Sequence, residues 1–543
     1  MGTWIRLGVL LALAGLLLAG GPEANASPGT TERVSVRSDG VQGTGPSEYP
    51  AISADSRYVA FHSSADNLVP DDTNQGNDVF VHDRRTGATE RVSVSSSGAE
   101  GNGASSMPAI SSDGRYVAFQ SYAANLVSGD TDVCELEQPP PDPPIPYNCP
   151  DIFVRDRQTS TTERVNLSSA EEQAVGESWS PAISGDGRYV AFYSDATNLV
   201  SGDTNDAEDI FVRDRQAGTT VRVSLTTAGV QANGASNGWL AISSTGRYVA
   251  FTSDATNLVA GDTNGFGDVF VRDRDTDADG IFDEAGAVST TRVSVSSGGA
   301  QSNDESYYAA ISADGRYVAF GSAATNLVTG DTNGFPDVFV RNRQAAITTR
   351  ISLGSAGGQG NAGSFDPAVS TDGRYVAFLS YASNLVTGDT NNLCQTDLDP
   401  ELENCPDVFA RDRDTDEDGV FDEAGAVSTT RVSVNSFGGE GNGESLDPSI
   451  SGDGSQVVFY SFASTLVTGD TNTFCDTDGD TQADDNCQDV FLHDSLGAVG
   501  GIAELPDVSG PSAANHVPLG GLAAAALAFL SARVWSAAKR RPR

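Results

Sequence analysis

Short apolar segments separated by polar turns recur along most of this chain. One copy reads TERVSV at 89–94, PAIS at 108–111, GRYVAF at 114–119 and DIFVRD at 151–156, and the same four phrases return in the same order. Each phrase is short and rich in Val, Ile, Phe and Tyr, which is typical of a buried or half-buried β-strand. Asp113-Gly114, between the second and third phrases, predicts a hairpin turn.

The arginine of the first phrase gives the length of the repeat. It falls at positions 33, 91, 164, 222, 292, 350 and 431, so the unit is 58 residues and three copies carry insertions of 15, 12 and 23 residues. Repeats of this length are typical of propellers, solenoids and arrays, and four short strands per repeat indicate a propeller blade. We therefore predict an all-β fold, a seven-bladed β-propeller of four-stranded blades over residues 31–495.

The two ends of the repeat region predict how the ring closes. The first phrase, at 31–36, has no earlier strands of its own blade, and the last repeat ends at 489–492 without a fourth strand. We predict that the N-terminal strand completes the last blade. Closure of this kind removes the open sheet edges that would invite aggregation.

The phrases DGRYVAF and DVFVRD resemble the TolB-type, WD40-like (PD40) propeller repeat of bacterial envelope proteins, over about residues 31–495. Three copies depart from the pattern: Ser56 replaces the turn glycine, Thr245 replaces the aspartate, and Ser455-Gln456 replaces Arg-Tyr. TolB also has an N-terminal α/β domain, for which this sequence has no counterpart. The resemblance therefore implies the propeller fold and not the role in the Tol complex.

The N-terminus predicts export. Arg6, the apolar run at 7–18 and the Ala24-Asn25-Ala26 cleavage site are typical of a signal peptide over residues 1–26. The apolar run is too short to span a bilayer.

The C-terminus predicts an anchor. After a linker at 496–516, residues 517–538 are largely apolar and are followed by a basic end, which predicts a transmembrane or sorting tail over 517–543. We expect an exported protein held at the cell surface, and whether the tail is cleaved stays open.

The formal net charge of −42 repels nucleic acid and anionic lipid, so we exclude nucleic acid as a partner. Such a surface attracts cations, and it also keeps an exported protein soluble without any specific partner. Six cysteines fall into close pairs that each flank one insertion, and none forms a CxxC motif. The insertions are either stapled long loops or rigid recognition loops. The predicted disulfides are Cys134–Cys149, Cys394–Cys405 and Cys475–Cys487.

Two insertions between the third and fourth strands read DTDADGIFDE at 275–284 and DTDEDGVFDE at 414–423. They resemble EF-hand, dockerin and thrombospondin-type calcium loops, in which carboxylates at positions 1, 3 and 5 converge and position 9 adds another ligand. Position 12 is Gly286 or Gly425 instead of the usual glutamate. The alternative is a solvated acidic turn. With a third acidic loop at 476–480, the predicted calcium ligands are Asp275, Asp277, Asp279, Asp283, Glu284, Asp414, Asp416, Asp418, Asp422, Glu423, Asp476, Asp478 and Asp480.

Other motifs have structural interpretations. Every copy carries a phrase like GDTNGFGD at 261–268, with oxygen side chains spaced as in a metal site, but its repetition favours a structural role. The G-x-S-x-G match at 234–238 lies in an interblade loop, away from any strand-to-helix elbow. Four histidines, at 62, 82, 493 and 516, form no recognisable catalytic motif.

The sequence favours a monomeric binding module for a protein or glycan, which we expect to be stabilised by calcium. It does not favour an enzyme. Aromatic residues near the first strands are either ligand contacts or packing between blades: Trp179, Trp239, Tyr307, Tyr308 and Phe365. One alternative is a passive structural protein of the cell surface. Another is a metal-dependent propeller hydrolase or lactonase with channel carboxylates, for which the sequence offers Asp366, Asp447, Glu305 and Glu444.

Overall fold

The computed structural model describes residues 29–136, 145–391, 404–472 and 487–495. The predicted signal peptide, linker and C-terminal tail lie outside these ranges. Within them, no helix is long and apolar enough to cross a membrane.

The described residues form seven four-stranded antiparallel sheets and one two-stranded hairpin. Blade 1 contains β2 Ser47–Ile52, β3 Tyr58–Ser63, β4 Asp78–Asp83 and β5 Ala88–Arg91. Blade 2 contains β6 Ser105–Ile110, β7 Tyr116–Ser121, β10 Asp151–Asp156 and β11 Thr161–Arg164. Blade 3 contains β12 Ser178–Ile183, β13 Tyr189–Ser194, β14 Asp209–Asp214 and β15 Thr219–Arg222. Blades 4 and 5 contain β16 Ser236–Ile242, β17 Tyr248–Ser253, β18 Asp268–Asp273 and β19 Ser289–Arg292; and β20 Ser306–Ile311, β21 Tyr317–Ser322, β22 Asp337–Asn342 and β23 Ile347–Arg350. Blades 6 and 7 contain β24 Ser364–Val369, β25 Tyr375–Ser380, β26 Asp407–Asp412 and β27 Ser428–Arg431; and β28 Ser445–Ile450, β29 Gln456–Ser461, β30 Asp489–Asp494 and β1 Thr31–Arg33.

The first strand of each blade contacts the first strands of both neighbouring blades, so the seven sheets form a closed ring. Closure is as predicted, because β1 pairs antiparallel with β30 and Thr31 lies opposite His493. The seven-bladed propeller of four-stranded blades, closed by the N-terminal strand, is therefore confirmed.

The second strands are buried on both faces and supply the core between blades. In β3, Phe61 pairs with Phe80 of β4, with ring centroids 5.9 Å apart. Phe61 packs toward blade 7, whereas its neighbour Ala60 packs toward Val117 of blade 2. Because successive side chains of a strand point to opposite faces, the phrase YVAF fills both interfaces of its blade.

The hairpin turn of blades 2 to 7 packs against a tyrosine of the preceding blade. At Gly114, where φ is +71°, an added Cβ would lie 2.1 Å from Cδ2 of Tyr58. Only glycine fits this left-handed turn against the ring. The same close approach, at 2.1–2.2 Å, recurs at Gly187, Gly246, Gly315, Gly373 and Gly454.

Two of the departures from the repeat pattern meet at one blade interface. Ser56 occupies the turn of blade 1 at φ +64°, and blade 7 presents Gln456 where the other blades present tyrosine. Arg84 Nη1 donates to the carbonyl of Ser56 at 2.6 Å and to Oε1 of Gln456 at 2.5 Å. The loss of the tyrosine thus leaves room for a side chain in the facing turn.

The insertion in blade 2 forms a hairpin, β8 Val133–Leu136 with β9 Ile145–Asn148, where the sequence suggested a loop. The predicted Cys134–Cys149 disulfide is confirmed. Cys405 and Cys487 are also disulfide-bonded. Their predicted partners, Cys394 and Cys475, lie outside the described residues, so these two pairings stay predictions.

Candidate functional site

The first strand of every blade carries a bulge that directs one side chain toward the centre of the ring. In β2, Glu48 lies opposite His62 and Ala51 lies opposite Ala60, so one extra residue is inserted between them. That residue, Tyr49, has a left-handed φ of +51°. Proline follows directly in five blades, and it is tolerated there because a bulge frees the chain from donating to the ladder.

The seven bulges surround a central cavity of about 180 Å³. Blade 4 has a two-residue bulge, because Asn237 and Ala241 lie opposite Thr252 and Ala250. The cavity is lined by one such residue from each blade: Tyr49, Met107, Ser180, Trp239, Tyr308, Asp366 and Asp447. We refer to these seven residues as the channel ring.

Aromatic rings meet across the channel. Trp239 of blade 4 stacks on Tyr49 of blade 1, with centroids 5.8 Å apart and planes 22° apart. Tyr308 lies beside Trp239 at 6.4 Å, and the stacked ring of His62 supports Tyr49 at 5.2 Å. Trp239 nevertheless keeps 38% of its surface exposed, so a ligand entering the channel can reach its ring.

Two carboxyl groups from neighbouring blades complete the channel ring. Protein encloses the carboxyl groups of both Asp366 and Asp447, although a water molecule can still reach them within the channel. Neither carboxylate forms a hydrogen bond or ion pair with any described residue. Burial raises the pKa of Asp366 to about 7. Burial, and then the charges of Asp366 and Glu48, raise the pKa of Asp447 well above its ordinary value.

The tyrosine hydroxyls of the channel ring stay protonated. Burial and the charge of Asp447 raise the pKa of Tyr49, and burial and the charge of Asp366 raise that of Tyr308. Both hydroxyls therefore act as neutral hydrogen-bond donors or acceptors toward a bound group.

The sequence located only part of this ring. Trp239, Tyr308, Asp366 and Asp447 face the cavity, whereas Tyr49 was missed although it stands in the same column of the repeat. The other predicted aromatics pack between blades: Trp179 against Tyr122, and Tyr307 against Phe365. Glu305 and Glu444 do not line the cavity, and Glu305 instead accepts a hydrogen bond from the Gly267 amide at 2.8 Å.

The first acidic loop brings its carboxylates together as predicted. Ligand oxygens of Asp275, Asp277 and Asp279 all lie within 4.8 Å of one another. Asp275 accepts hydrogen bonds from the amides of Asp279 and Gly280 at 3.2 and 3.1 Å. These bonds curl the loop around Asp275, while Asp277 and Asp279 remain exposed.

The acid at position 9 has another partner. Asp283 forms an ion pair with Arg274, with Oδ2 2.6 Å from Nη2. Phe282 fastens the loop to blade 3, because its ring lies 5.3 Å from that of Tyr189, and Glu284 is exposed. Three of the five predicted ligands therefore converge, and the roles of Asp283 and Glu284 stay predictions.

The second acidic loop repeats this geometry. Asp414, Asp416 and Asp418 converge within 4.8 Å, and Asp422 pairs with Arg413 at 2.6 Å. Desolvation, and then the charge of Asp418, raise the pKa of Asp416. The third predicted set, Asp476, Asp478 and Asp480, lies outside the described residues, and the ligand role of Glu423 stays a prediction.

The repeated GDTN phrase holds an arginine. In blade 4, Arg292 Nη1 lies 3.0 Å from Asp262 Oδ1 and 2.8 Å from Asp268 Oδ2. Asn264 donates to Asp268 Oδ2 at 3.1 Å. The oxygen atoms that are spaced as in a metal site thus surround a guanidinium group, which the sequence did not reveal because the arginine lies in the following strand.

The G-x-S-x-G match and the described histidines have structural roles. Ser236 is fully buried, and its hydroxyl bonds to that of Ser253 at 2.8 Å. His82 bonds to Thr89 and His493 to Thr31, at 2.9 and 2.8 Å.

No protein-family model matches the sequence, and no curated protein sequence matches it. Among solved structures, the chain is similar to the putative TolB from Agrobacterium tumefaciens, at 15% identity and a TM-score of 0.32 over 56% of this chain and 80% of that chain. It is also similar to TolB from Acinetobacter baumannii, at 15% identity and a TM-score of 0.33 over 71% of this chain and 65% of that chain. An oligogalacturonate lyase in complex with manganese gives 11% identity and a TM-score of 0.43 over 86% and 94%. Likenesses at such identities concern the fold alone.

Proposed function

We propose that this chain is an exported binding module of the cell surface, which takes a protein or glycan ligand at the channel. The observation that carries the proposal is the channel ring, where each blade contributes one accessible side chain to a single cavity. Binding sites are typically concave and preformed, lined by apolar and aromatic groups with a few polar groups that fix the ligand. Trp239, Tyr308 and the two aspartates supply such a set.

Export and anchoring rest on the sequence of the two ends. The disulfide in the blade 2 hairpin supports an oxidising compartment, because such bonds persist mainly outside the cytosol.

Calcium is proposed as a stabilising ion of the two acidic loops. Three convergent carboxylates in each loop offer the hard oxygen ligands that calcium prefers. These loops join the third and fourth strands, so calcium there would act on the rigidity of the ring.

The carboxyl pair of the channel favours a second candidate function, a propeller hydrolase. Two neighbouring carboxyl groups with raised pKa values are suited to sharing a proton as general acid and base. Under this candidate, Asp366→Asn abolishes turnover of a substrate that the variant still binds.

The binding function is tested by screening surface proteins and glycans against the purified full chain and its Trp239→Ala variant. We expect binding of the ligand to be lost in Trp239→Ala and retained in Phe437→Ala. Phe437 is the matched control, because it is 90% exposed and does not line the channel. A ligand that binds Trp239→Ala unchanged would place the site elsewhere, and a screen without any ligand would favour a passive structural protein.

A further inference from the structure

The channel ring contains two carboxyl groups that no described residue pairs. Asp366 and Asp447 come from neighbouring blades and have no hydrogen-bond or ion-pair partner among the described residues, and the charge of Glu48 acts on Asp447. Fully buried carboxylates elsewhere in the described ring have partners. Asp268, for example, forms an ion pair with Arg292. Buried charges in proteins are normally paired, and those left unpaired favour a ligand of opposite charge.

The rest of the ring supplies the surface that an organic cation prefers. Tyr49, Trp239 and Tyr308 present aromatic rings to the same cavity as the carboxylates. The faces of such rings carry partial negative charge and attract ammonium groups, with tryptophan the strongest. The carboxylates and the aromatic faces therefore favour the same ligand charge from two parts of the ring.

Size and ligand chemistry distinguish this site from a metal site. Calcium prefers a shell of carboxylate and carbonyl oxygens, whereas the channel ring offers two carboxyl groups and otherwise neutral hydroxyls, a methionine and aromatic rings. A cavity of about 180 Å³ is large enough for a short alkylammonium group, such as the end of a lysine side chain.

We propose that the channel ring binds an alkylammonium group, with the ammonium against Asp366 and Asp447 and its alkyl part against Tyr49, Trp239 and Tyr308. This inference rests on the proposed binding function and names the ligand chemistry of that site. The group is carried either by a small amine or by a lysine of a partner protein.

The test is isothermal titration calorimetry of the full chain with n-butylammonium chloride, with sodium chloride used to keep the ionic strength constant. We expect saturable binding at one site, and no binding of 1-butanol, the neutral molecule of the same shape. Titration with N-acetyl-lysine amide in a second arm shows whether the ring also accepts a lysine side chain.

A set of variants shows whether n-butylammonium binds in the channel or on the acidic surface of the protein. Affinity for n-butylammonium should fall at least about tenfold in Asp366→Asn/Asp447→Asn, which removes the attracting charges. It should fall less in Trp239→Leu, which keeps the bulk but loses the aromatic face. Asp71→Asn/Asp206→Asn is the charge-matched control at two exposed positions, and its affinity should equal that of the wild type. Asp447→Asn alone is a milder second variant if the double variant folds poorly.

Four outcomes would overturn the inference. Equal n-butylammonium affinity in the double variant and the wild type would show a surface effect. Calcium binding that is lost in the double variant would show a metal site. Equal affinity for 1-butanol and n-butylammonium would remove the requirement for charge. A neutral glycan that binds the wild type but not Trp239→Leu, with no n-butylammonium binding, would reject the cation while leaving the binding function in place.

Discussion

At the scale of single residues, the carboxyl pair of the channel opposes the stability of the ring in which it lies. Asp366 and Asp447 are enclosed without partners, whereas asparagine at the same positions carries no charge to desolvate. Functional sites commonly hold groups that the fold alone would not select. The energetic effect of the pair depends on pH, because the protein can bind a proton instead of burying a second charge.

Asp366→Asn should reveal this pH dependence. Because burial raises the pKa of Asp366 to about 7, the folded protein keeps a proton that the unfolded chain releases above about pH 4. The free energy of unfolding of the wild type therefore falls as pH rises from about 4 to 7, by at most about 1.4 kcal/mol per pH unit from this group. The variant should melt higher than the wild type at pH 8, and that gain should disappear at pH 4.

Calorimetry at pH 4, 6 and 8 measures the difference, and Asp206→Asn, an exposed acid, is the control. The titratable groups around the channel acids are Glu48 and the hydroxyls of five tyrosines: Tyr49, Tyr307, Tyr308, Tyr381 and Tyr460. Parallel wild-type and variant profiles would contradict a proton held by Asp366.

The turn glycines give a second prediction at residue scale. Gly187→Ala places a Cβ 2.1 Å from the ring of Tyr116 at φ +74°, whereas Gly202→Ala at φ +80° meets nothing within 4 Å. In both variants the left-handed conformation of alanine lowers the free energy of unfolding by roughly 1–2 kcal/mol. Gly187→Ala should lose about 1–3 kcal/mol more, because the blade interface must shift. Urea unfolding of both variants measures the gap, and equal losses would contradict the role of the tyrosine contact.

At the scale of elements, the acidic loops are the clearest candidates for ion binding. Calorimetry of calcium binding should give micromolar to millimolar affinity, and calcium should raise the melting temperature of the wild type. Both effects should be lost in Asp277→Ala/Asp416→Ala. These two exposed acids are preferred for the test because Asp275 and Asp414 also hold their loops through amide hydrogen bonds.

Asp71→Ala/Asp206→Ala removes the same charge at exposed positions and should keep both calcium effects. Calcium binding retained by Asp277→Ala/Asp416→Ala would mean that the loops are solvated acidic turns.

The closing strand provides the next prediction. Arg33 of β1 is 8% exposed at its side chain and contacts Asp470 and Asp489 at 3.2 and 3.4 Å. Arg33→Ala should lower the free energy of unfolding by about 3–5 kcal/mol, because it leaves buried carboxylates without their cation. Arg37→Ala breaks an exposed pair with Asp39 and should leave the melting temperature unchanged. Similar melting temperatures for the two variants would contradict the importance of the β1 pair.

Strand positions could be predicted from the sequence because each phrase repeats seven times, but strand boundaries could not. The second phrase was expected to begin at Pro108, whereas β6 begins at Ser105 and includes the bulge. The proline was the available signal, since proline inside a sheet strand indicates a bulge or an edge. The arginine partners of the GDTN phrase were missed for a related reason, because pairing between strands is not visible within one phrase.

At the scale of the whole molecule, the channel site is a product of closure. Its seven residues come from seven repeats, and no two of them are near each other in sequence. Trp239 and Tyr49 meet only because blades 4 and 1 face each other across the ring. Sequence reasoning found the aspartates as isolated acids near the first strands, but it could not show that they share a cavity with three aromatic rings.

The pairing of β1 with β30 also makes folding depend on the whole length of the chain. Thr31 bonds to His493, 462 positions later, so β1 emerges first during synthesis or export and waits longest for its partner. Contacts this distant in sequence form late, because a long loop must close before they form. A chain released before residue 489 leaves both the last sheet and the channel ring unsealed. Closure of the ring thus requires a chain that extends at least through β30.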